Sequence, residues 1–265
     1  MTHAVGMSTL LLAACHSPNG RGIAARRRRG GESAMTLKTI AYQISRRVRE
    51  DVYSKDWFLR DCPHGARLLD VGCGNNSPRS CKAVRPDIYY VGIDIGDYNQ
   101  SDEPALFADQ YIIESPNSFS QRIDTMAAQF DAVISAHNIE HCDDPTRTLS
   151  AMLGALRARG RLFMSFPCEA SVRFPHRDGS LNFHDDATHK VVPKFNELVS
   201  AISAGGYRID VAIRRHRPLA GAIRGLLNEP RSRREKRILP GTWALYGFES
   251  IIWASRPDEP AGHFT

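Results

Sequence analysis

Residues 67–78, Arg-Leu-Leu-Asp-Val-Gly-Cys-Gly-Asn-Asn-Ser-Pro, constrain this chain more than any other stretch. Leu68, Leu69 and Val71 form a short apolar run with Asp70 near its end, which reads as a buried strand. Gly72-Cys73-Gly74 then forces a sharp turn, because glycine adopts positive φ without steric cost and lets a ligand approach the backbone. Asn75 and Asn76 are the non-glycine residues that best tolerate such conformations. Ser77 reads as a helix N-cap with Pro78 at the first helical position. Strand, glycine turn and helix N-terminus in that order describe a nucleotide-type site.

A dinucleotide loop wants G-x-G-x-x-G, but Ser77 occupies the third glycine position and Asp70 would repel a pyrophosphate. The acid suits a ligand carrying an ammonium and a sulfonium. The string D-V-G-C-G at residues 70–74 resembles motif I of the class I S-adenosylmethionine-dependent methyltransferases. Further on, residues 130–145 resemble the F-D-x-V-x-S-x-x-x-x-E-H-x-x-D-P segment of small-substrate members. The likeness covers roughly residues 35–255. One departure is Asn76, where many members carry a third glycine. The resemblance implies a Rossmann-like α/β fold, doubly wound, with a seven-stranded, mostly parallel sheet whose last strand runs antiparallel. It implies S-adenosyl-L-methionine as cofactor.

The order of elements agrees with that fold. After the glycine loop a short helix runs to about Val84, and residues 88–94 form a second strand ending in Asp94. Asp94 lies 20 residues beyond Gly74, the spacing at which a strand-end carboxylate accepts the ribose hydroxyls of an adenosine-bearing cofactor. A third strand is centred on residues 111–113, a fourth on 130–135 and a fifth on 161–166. Asp144 and Pro145 start a helix with Leu149, Met152, Leu153 and Leu156 along one face and Gly160 beyond its end. Residues 194–204 form another helix, and 207–213 and 245–254 two further strands. Alternating strands and helices imply a parallel sheet covered on both faces, with ligands at its C-terminal edge.

By the resemblance, cofactor contacts are expected from Asp70, Gly72, Cys73, Gly74, Asn75, Asp94, Ile95, Asp109 and His137. Asp70 and the loop amides would hold the methionine end. Asp109 and Glu114 both stand as candidates for the adenine amino group. A hydroxyl or amine acceptor requires a general base, and histidine ionises in the right range. The candidates are His141 and His184, then His137 and His189. Residues 167–193 read as a long polar lid or substrate wall. The lid contains His184, Asp185 and His189, residue types that suit Zn or Fe; solvated loop residues with a substrate-facing histidine are the preferred reading, and no metal is expected.

Composition narrows the class further. The chain has 265 residues and 42% hydrophobic content, enough for one sizeable core, and no apolar run approaches a membrane span. Six cysteines without a C-x-x-C pair read as reduced thiols in the cytoplasm. Of the net charge of +6, most belongs to residues 1–34, where Arg21 and Arg26–Arg29 face only Glu32. That stretch reads as a disordered leader or a start assigned too early, with Met35 beginning the domain and a helix over 37–52. Tyr53, Trp57 and Phe58 are expected to pack on the core. A basic insert at 214–240 holds a short amphipathic piece, and its arginines default to solvated surface charge. With no RNA-binding module or aromatic platform, nucleic acid is not expected as a partner. The expected acceptor is a polar or anionic small molecule, such as a sugar or glycan component. Two other readings use the same fold: aminopropyl transfer, which needs an acidic groove, and a non-catalytic binding protein working through the insert.

Overall fold

The structure is a computed structural model that describes residues 51–258. The arginine-rich leader and almost all of the helix expected over 37–52 lie outside the described residues. A short helix α1 (Lys55–Arg60) leads in, N-capped by Ser54, whose hydroxyl accepts from the Trp57 amide at 3.3 Å. Seven strands follow: β1 (Arg67–Val71), β2 (Tyr89–Asp94), β3 (Gln110–Ile113), β4 (Phe130–Ala136), β5 (Leu156–Pro167), β6 (Arg208–Ile213) and β7 (Glu249–Ser255). They form one sheet in the order β3-β2-β1-β4-β5-β7-β6. The first five pair in parallel, and β7 runs antiparallel between β5 and β6, as expected.

Period-2 alternation divides the core between the two faces. Leu69, Val71, Val91, Ile93, Val133 and Met164 point to one side, packed with residues of helices α3 (Phe119–Asp124), α4 (Pro145–Ala155) and α5 (Phe195–Ala204). Leu68, Tyr90, Ile134, Phe163 and Trp253 point to the other, where Phe58 and Leu59 of α1 and Cys81 of α2 (Ser77–Val84) cover them. Phe58 is fully buried, with Tyr53 and Trp57 partly so, and the expected aromatic cluster packs on the core. Among the described residues no helix is long and apolar enough to cross a membrane.

Four boundaries differ from the sequence reading. Helix α2 is capped by Asn76 in the left-handed region, φ 58°, and Ser77 is already helical, its hydroxyl turned inward to Asp70. Asp144 caps α4, accepting from the Arg147 amide at 2.9 Å, but the chain enters β5 directly at Leu156. Gly160 therefore lies inside a strand, where the β4–β5 register shifts between Phe130 and Ala132. Its added Cβ would stand 3.0 Å from the Phe130 carbonyl, so the glycine serves a close backbone approach and not a helix stop. Residues 242–246 form helix α7 (Thr242–Tyr246), and Gly247 at φ 63° delays β7 to Glu249. The basic insert is a 17-residue helix, α6 (Leu219–Glu235), far longer than expected.

The wall at 167–193 is folded where a solvated loop was expected. It contains two 3-10 turns, Glu169–Arg173 and Phe183–Asp185. Arg177, Leu181, Asn182 and Phe183 are buried in it. The indole N–H of Trp243 donates to the Ser180 carbonyl at 2.9 Å, tying the wall to α7.

Candidate active site

The glycine loop leaves β1 at Gly72, φ 78°, whose amide donates to the Ile93 carbonyl at 2.9 Å. A Cβ at Gly72 would stand 2.5 Å from the Cβ and Oδ1 of Asn138, so the position needs glycine both for its φ and for space. Gly72→Ala is expected to lower stability by about 2 kcal/mol, from left-handed strain and overpacking together, read as a shift of the urea midpoint. Asn75 and Asn76 follow at φ 54° and 58°. Their amides are already taken, by the Tyr98 carbonyl at 2.9 Å and Gln100 Oε1 at 3.0 Å. Those two amides cannot also cradle a pyrophosphate, which agrees with the reading against a dinucleotide.

Two expected contact residues work from beneath. The Cys73 side chain is fully buried against Gly92, so this residue offers the site only its backbone. Asp70 is 2% exposed, and its Oδ2 accepts from the hydroxyls of Ser77 and Tyr90, both at 2.5 Å. Ser77 in turn accepts from Lys55 Nζ at 3.0 Å. Burial pushes the Asp70 carboxyl up, opposed by Lys55, Ser77 and Tyr90. Asp70 does not line the cavity described next. It braces the loop through a buried network, because strand alternation turns it toward α2.

A cavity of about 310 Å³ opens at the C-terminal edge of the parallel strands. Asp94, Ile95, Asn138 and His141 line it, with Lys190 from the wall. Asp94 is 7% exposed, and its Oδ1 accepts from the Ile95 amide at 2.7 Å. Burial raises its carboxyl, with the Ile95, Gly74 and Gly96 amides pulling the other way. Its Oδ2 lies 3.6 Å from where a Gly74 Cβ would be, so loop and acid meet at the rim.

Asp109 is placed elsewhere. It precedes β3, at the N-terminal edge of the sheet, where Lys82 Nζ at 2.6 Å and the Tyr90 amide at 2.7 Å hold its carboxylate. A parallel strand delivers its C-terminal end to the ligand edge, so Asp109 cannot meet a cofactor there. Glu114, which follows β3, stands at the correct edge.

The four histidines separate sharply. His137, at φ 53°, bridges Glu140 Oε1 at 3.2 Å and Glu249 Oε1 at 2.8 Å. Burial alone would lower its pKa, but the two carboxylates outweigh that and raise it to about 10. It is therefore an imidazolium at neutral pH, with no lone pair for a general base. His184 is exposed and packs edge-on against Phe183. Asp185 spends its carboxylate on His176 at 2.6 Å and on the amides of Arg177, Leu181 and Asn182, so the alternative His184–Asp185–His189 grouping does not assemble. His141 and His189 come together instead, with ring centroids 4.8 Å apart beside the buried Glu140.

The sequence profile of the methyltransferase domain matches residues 41–204. The chain belongs to the methyltransferase-domain family. It is 27% identical over 173 residues to an O-methyltransferase of Pyrenophora dematioidea, over 62% of this chain and 63% of that one. It is 29% identical over 110 residues to the ubiquinone biosynthesis O-methyltransferase of Xanthomonas axonopodis pv. citri (strain 306), over 39% of this chain and 44% of that one. The matches thus span less than two thirds of these relatives. Among solved structures, an S-adenosylmethionine-dependent methyltransferase from Mesorhizobium loti superposes with a TM-score of 0.52 at 16% identity, over 77% of this chain and 98% of that one. Haemonchus contortus phosphoethanolamine N-methyltransferase 2, in complex with S-adenosyl-L-methionine, gives 0.52 at 15%, over 76% and 51%. At these identities both likenesses carry the fold alone.

The cofactor implied by this family is S-adenosyl-L-methionine, and the residues present fit it. Asp94 presents a carboxylate at the cavity rim with its Oδ1 already oriented by a backbone amide, as a ribose diol requires. Gly74 adds no side chain beside this carboxylate, and the Asn138 side chain fills the space over Gly72. Glu140, Asn138 and Glu249 were missed as individual site residues. The E-H pair at 140–141 was the available signal for Glu140, whereas Glu249 lies 112 residues from its partner His137 and left no local trace.

Proposed function

We propose that the protein transfers a methyl group from S-adenosyl-L-methionine to a hydroxyl of a polar small molecule. The observation that carries this reading is that Asp94 and His141 line one cavity at the C-terminal sheet edge, with Gly74 of the glycine loop meeting Asp94 at its rim. The two named O-methyltransferase relatives favour oxygen as the nucleophile. An anionic acceptor draws little support from α6, since Arg177 and Arg233 pair with Glu229 while Arg231 and Arg237 pair with Glu235.

When bound, the cofactor supplies an electrophilic methyl carbon on a sulfonium. Asp94 would hold its ribose and the glycine loop its methionine end. The chain's remaining task is to align the acceptor and exclude water, a proximity effect worth up to about 7–11 kcal/mol in well-oriented cases. The hydroxyl must also lose its proton, and the bases proposed for it are His141, which lines the cavity, and His189, whose ring packs against that of His141. Thr188 Oγ1 donates to Asp186 at 2.5 Å, so toward His141 Nδ1, 3.0 Å away, it can only accept. His189 Nδ1 lies 2.6 Å from the Phe183 carbonyl, also an acceptor. In the neutral tautomer these partners place each proton on Nδ1 and leave the lone pair on Nε2, His189 Nε2 standing 3.9 Å from Asp186 Oδ2.

His141→Ala and His189→Ala are each expected to reduce methyl transfer about 100-fold or more while leaving S-adenosylhomocysteine affinity within about threefold. Calorimetry and release of S-adenosylhomocysteine from a panel of polyhydroxylated and phenolic acceptors would measure both. Undiminished turnover in both variants would remove the histidines from the reaction.

A further inference from the structure

We propose that Glu140, His141 and His189 form a site for a first-row divalent cation where His141 borders the cavity. The proposal rests on the methyltransferase reading for its purpose, though not for its geometry. Each of the three residues offers one ligand atom, and these atoms lie within 4.8 Å of one another. Glu140 is completely buried, its Oε1 held by His137, and its Oε2 has no hydrogen-bond partner. A buried carboxylate oxygen left without a donor is costly, and a cation beside it removes that cost.

The imidazoles are prepared in the same sense. Metal-binding histidines characteristically donate their other ring N–H to a carbonyl or carboxylate, which fixes the tautomer and aims the free nitrogen. Here His189 Nδ1 faces the Phe183 carbonyl at 2.6 Å, and His141 Nδ1 faces the Thr188 carbonyl at 3.2 Å as well as the Thr188 hydroxyl. The ligating carboxylate is itself braced by His137. Backbone bonds set the halves in register, with the Lys190 amide donating to the Glu140 carbonyl at 2.9 Å and the Val191 amide at 3.2 Å. The wall segment is thereby clamped over the E-H pair.

Two imidazoles and one carboxylate suit Zn2+, Mn2+ or Fe2+ and leave coordination positions open. An acceptor hydroxyl in such a position has its pKa lowered by the cation, and its proton leaves to solvent as the oxygen attacks. His141 and His189 then act as ligands that place and activate the hydroxyl, and the preferred acceptor carries two adjacent hydroxyls that chelate.

The test is calorimetric titration of the chelator-treated, tag-free full chain with Zn2+ and, separately, Mn2+. Saturable binding of either ion at one per chain is expected, weakened at least tenfold in both Glu140→Gln and His189→Ala, with circular dichroism and S-adenosylhomocysteine affinity unchanged. No saturable binding of either ion by the folded wild type would overturn the proposal, as would wild-type affinity in both variants. Methyl transfer undiminished by EDTA would overturn the role in activation while leaving the methyltransferase reading intact. Cation binding by a chain that fails to bind S-adenosylhomocysteine would do the reverse.

Discussion

Asp94→Ala is expected to weaken S-adenosylhomocysteine binding by about 100-fold or more without loss of fold stability. The carboxylate closes β2 at the cavity rim, 7% exposed, with Oδ1 fixed by the Ile95 amide. Hydrogen bonds to a charged group contribute about 1.5–3 kcal/mol each, and two of them to a ribose diol amount to about two to four powers of ten in affinity. Stability should move the other way. Burial raises the Asp94 carboxyl above its ordinary range, so at neutral pH the folded chain holds this anion at a cost, and alanine relieves it. Asp94→Asn, which keeps shape and one acceptor, should fall between the two. Calorimetry with S-adenosylhomocysteine, with NADH as control, measures all three proteins alongside urea unfolding. Unchanged affinity in Asp94→Ala would remove this residue from the cofactor site.

What could be read in the sequence was what local chemistry decides. The strand, loop and acid at 67–74, Asp94 at the end of β2 and the Asp144 cap each depend on neighbours within a few residues, and the chain carries those signals in order. The sheet followed, because alternating β and α units leave few topologies. Asp109 failed for the opposite reason. A four-residue strand gives no hint of which flanking acid reaches the ligand edge, and its partner Lys82 lies 27 residues away. His137 looked like a base because its second carboxylate is on β7. His141 and His189 are 48 positions apart in the sequence, and only the folded wall brings them together. The wall misled because its many polar residues suggested solvent, whereas Asp185 and Asn182 spend their hydrogen bonds on the segment's own backbone.

The same wall is held from behind by one buried ion pair, and Arg177→Met is expected to destabilise the protein by about 3–5 kcal/mol. The Arg177 guanidinium, with 3% of its side chain exposed, grips both Glu229 oxygens at 2.9 and 2.7 Å and also donates to Ser232 at 2.6 Å. Removing it leaves a carboxylate in a site 12% exposed, with Arg233 and Tyr246 as its remaining partners. Adding Glu229→Leu should restore most of the loss, since a buried pair replaced by apolar groups is often neutral. Arg177 brings the Glu229 pKa down to about 2, so the pair's contribution is complete above the ordinary glutamate range and disappears as pH falls toward 2. Wild type should therefore lose more stability than the double variant between about pH 4.5 and 2. Urea midpoints across that range measure the difference, and a single-variant shift below about 1 kcal/mol would show that the pair does not anchor the wall. Arg177 lies 12 residues before His189, on the segment that carries it over His141, whereas the glycine loop follows β1 and Asp94 closes β2. The single variant should accordingly raise KM for the acceptor while cofactor affinity stays near wild type, separating the half of the site built by the parallel strands from the half built by the wall.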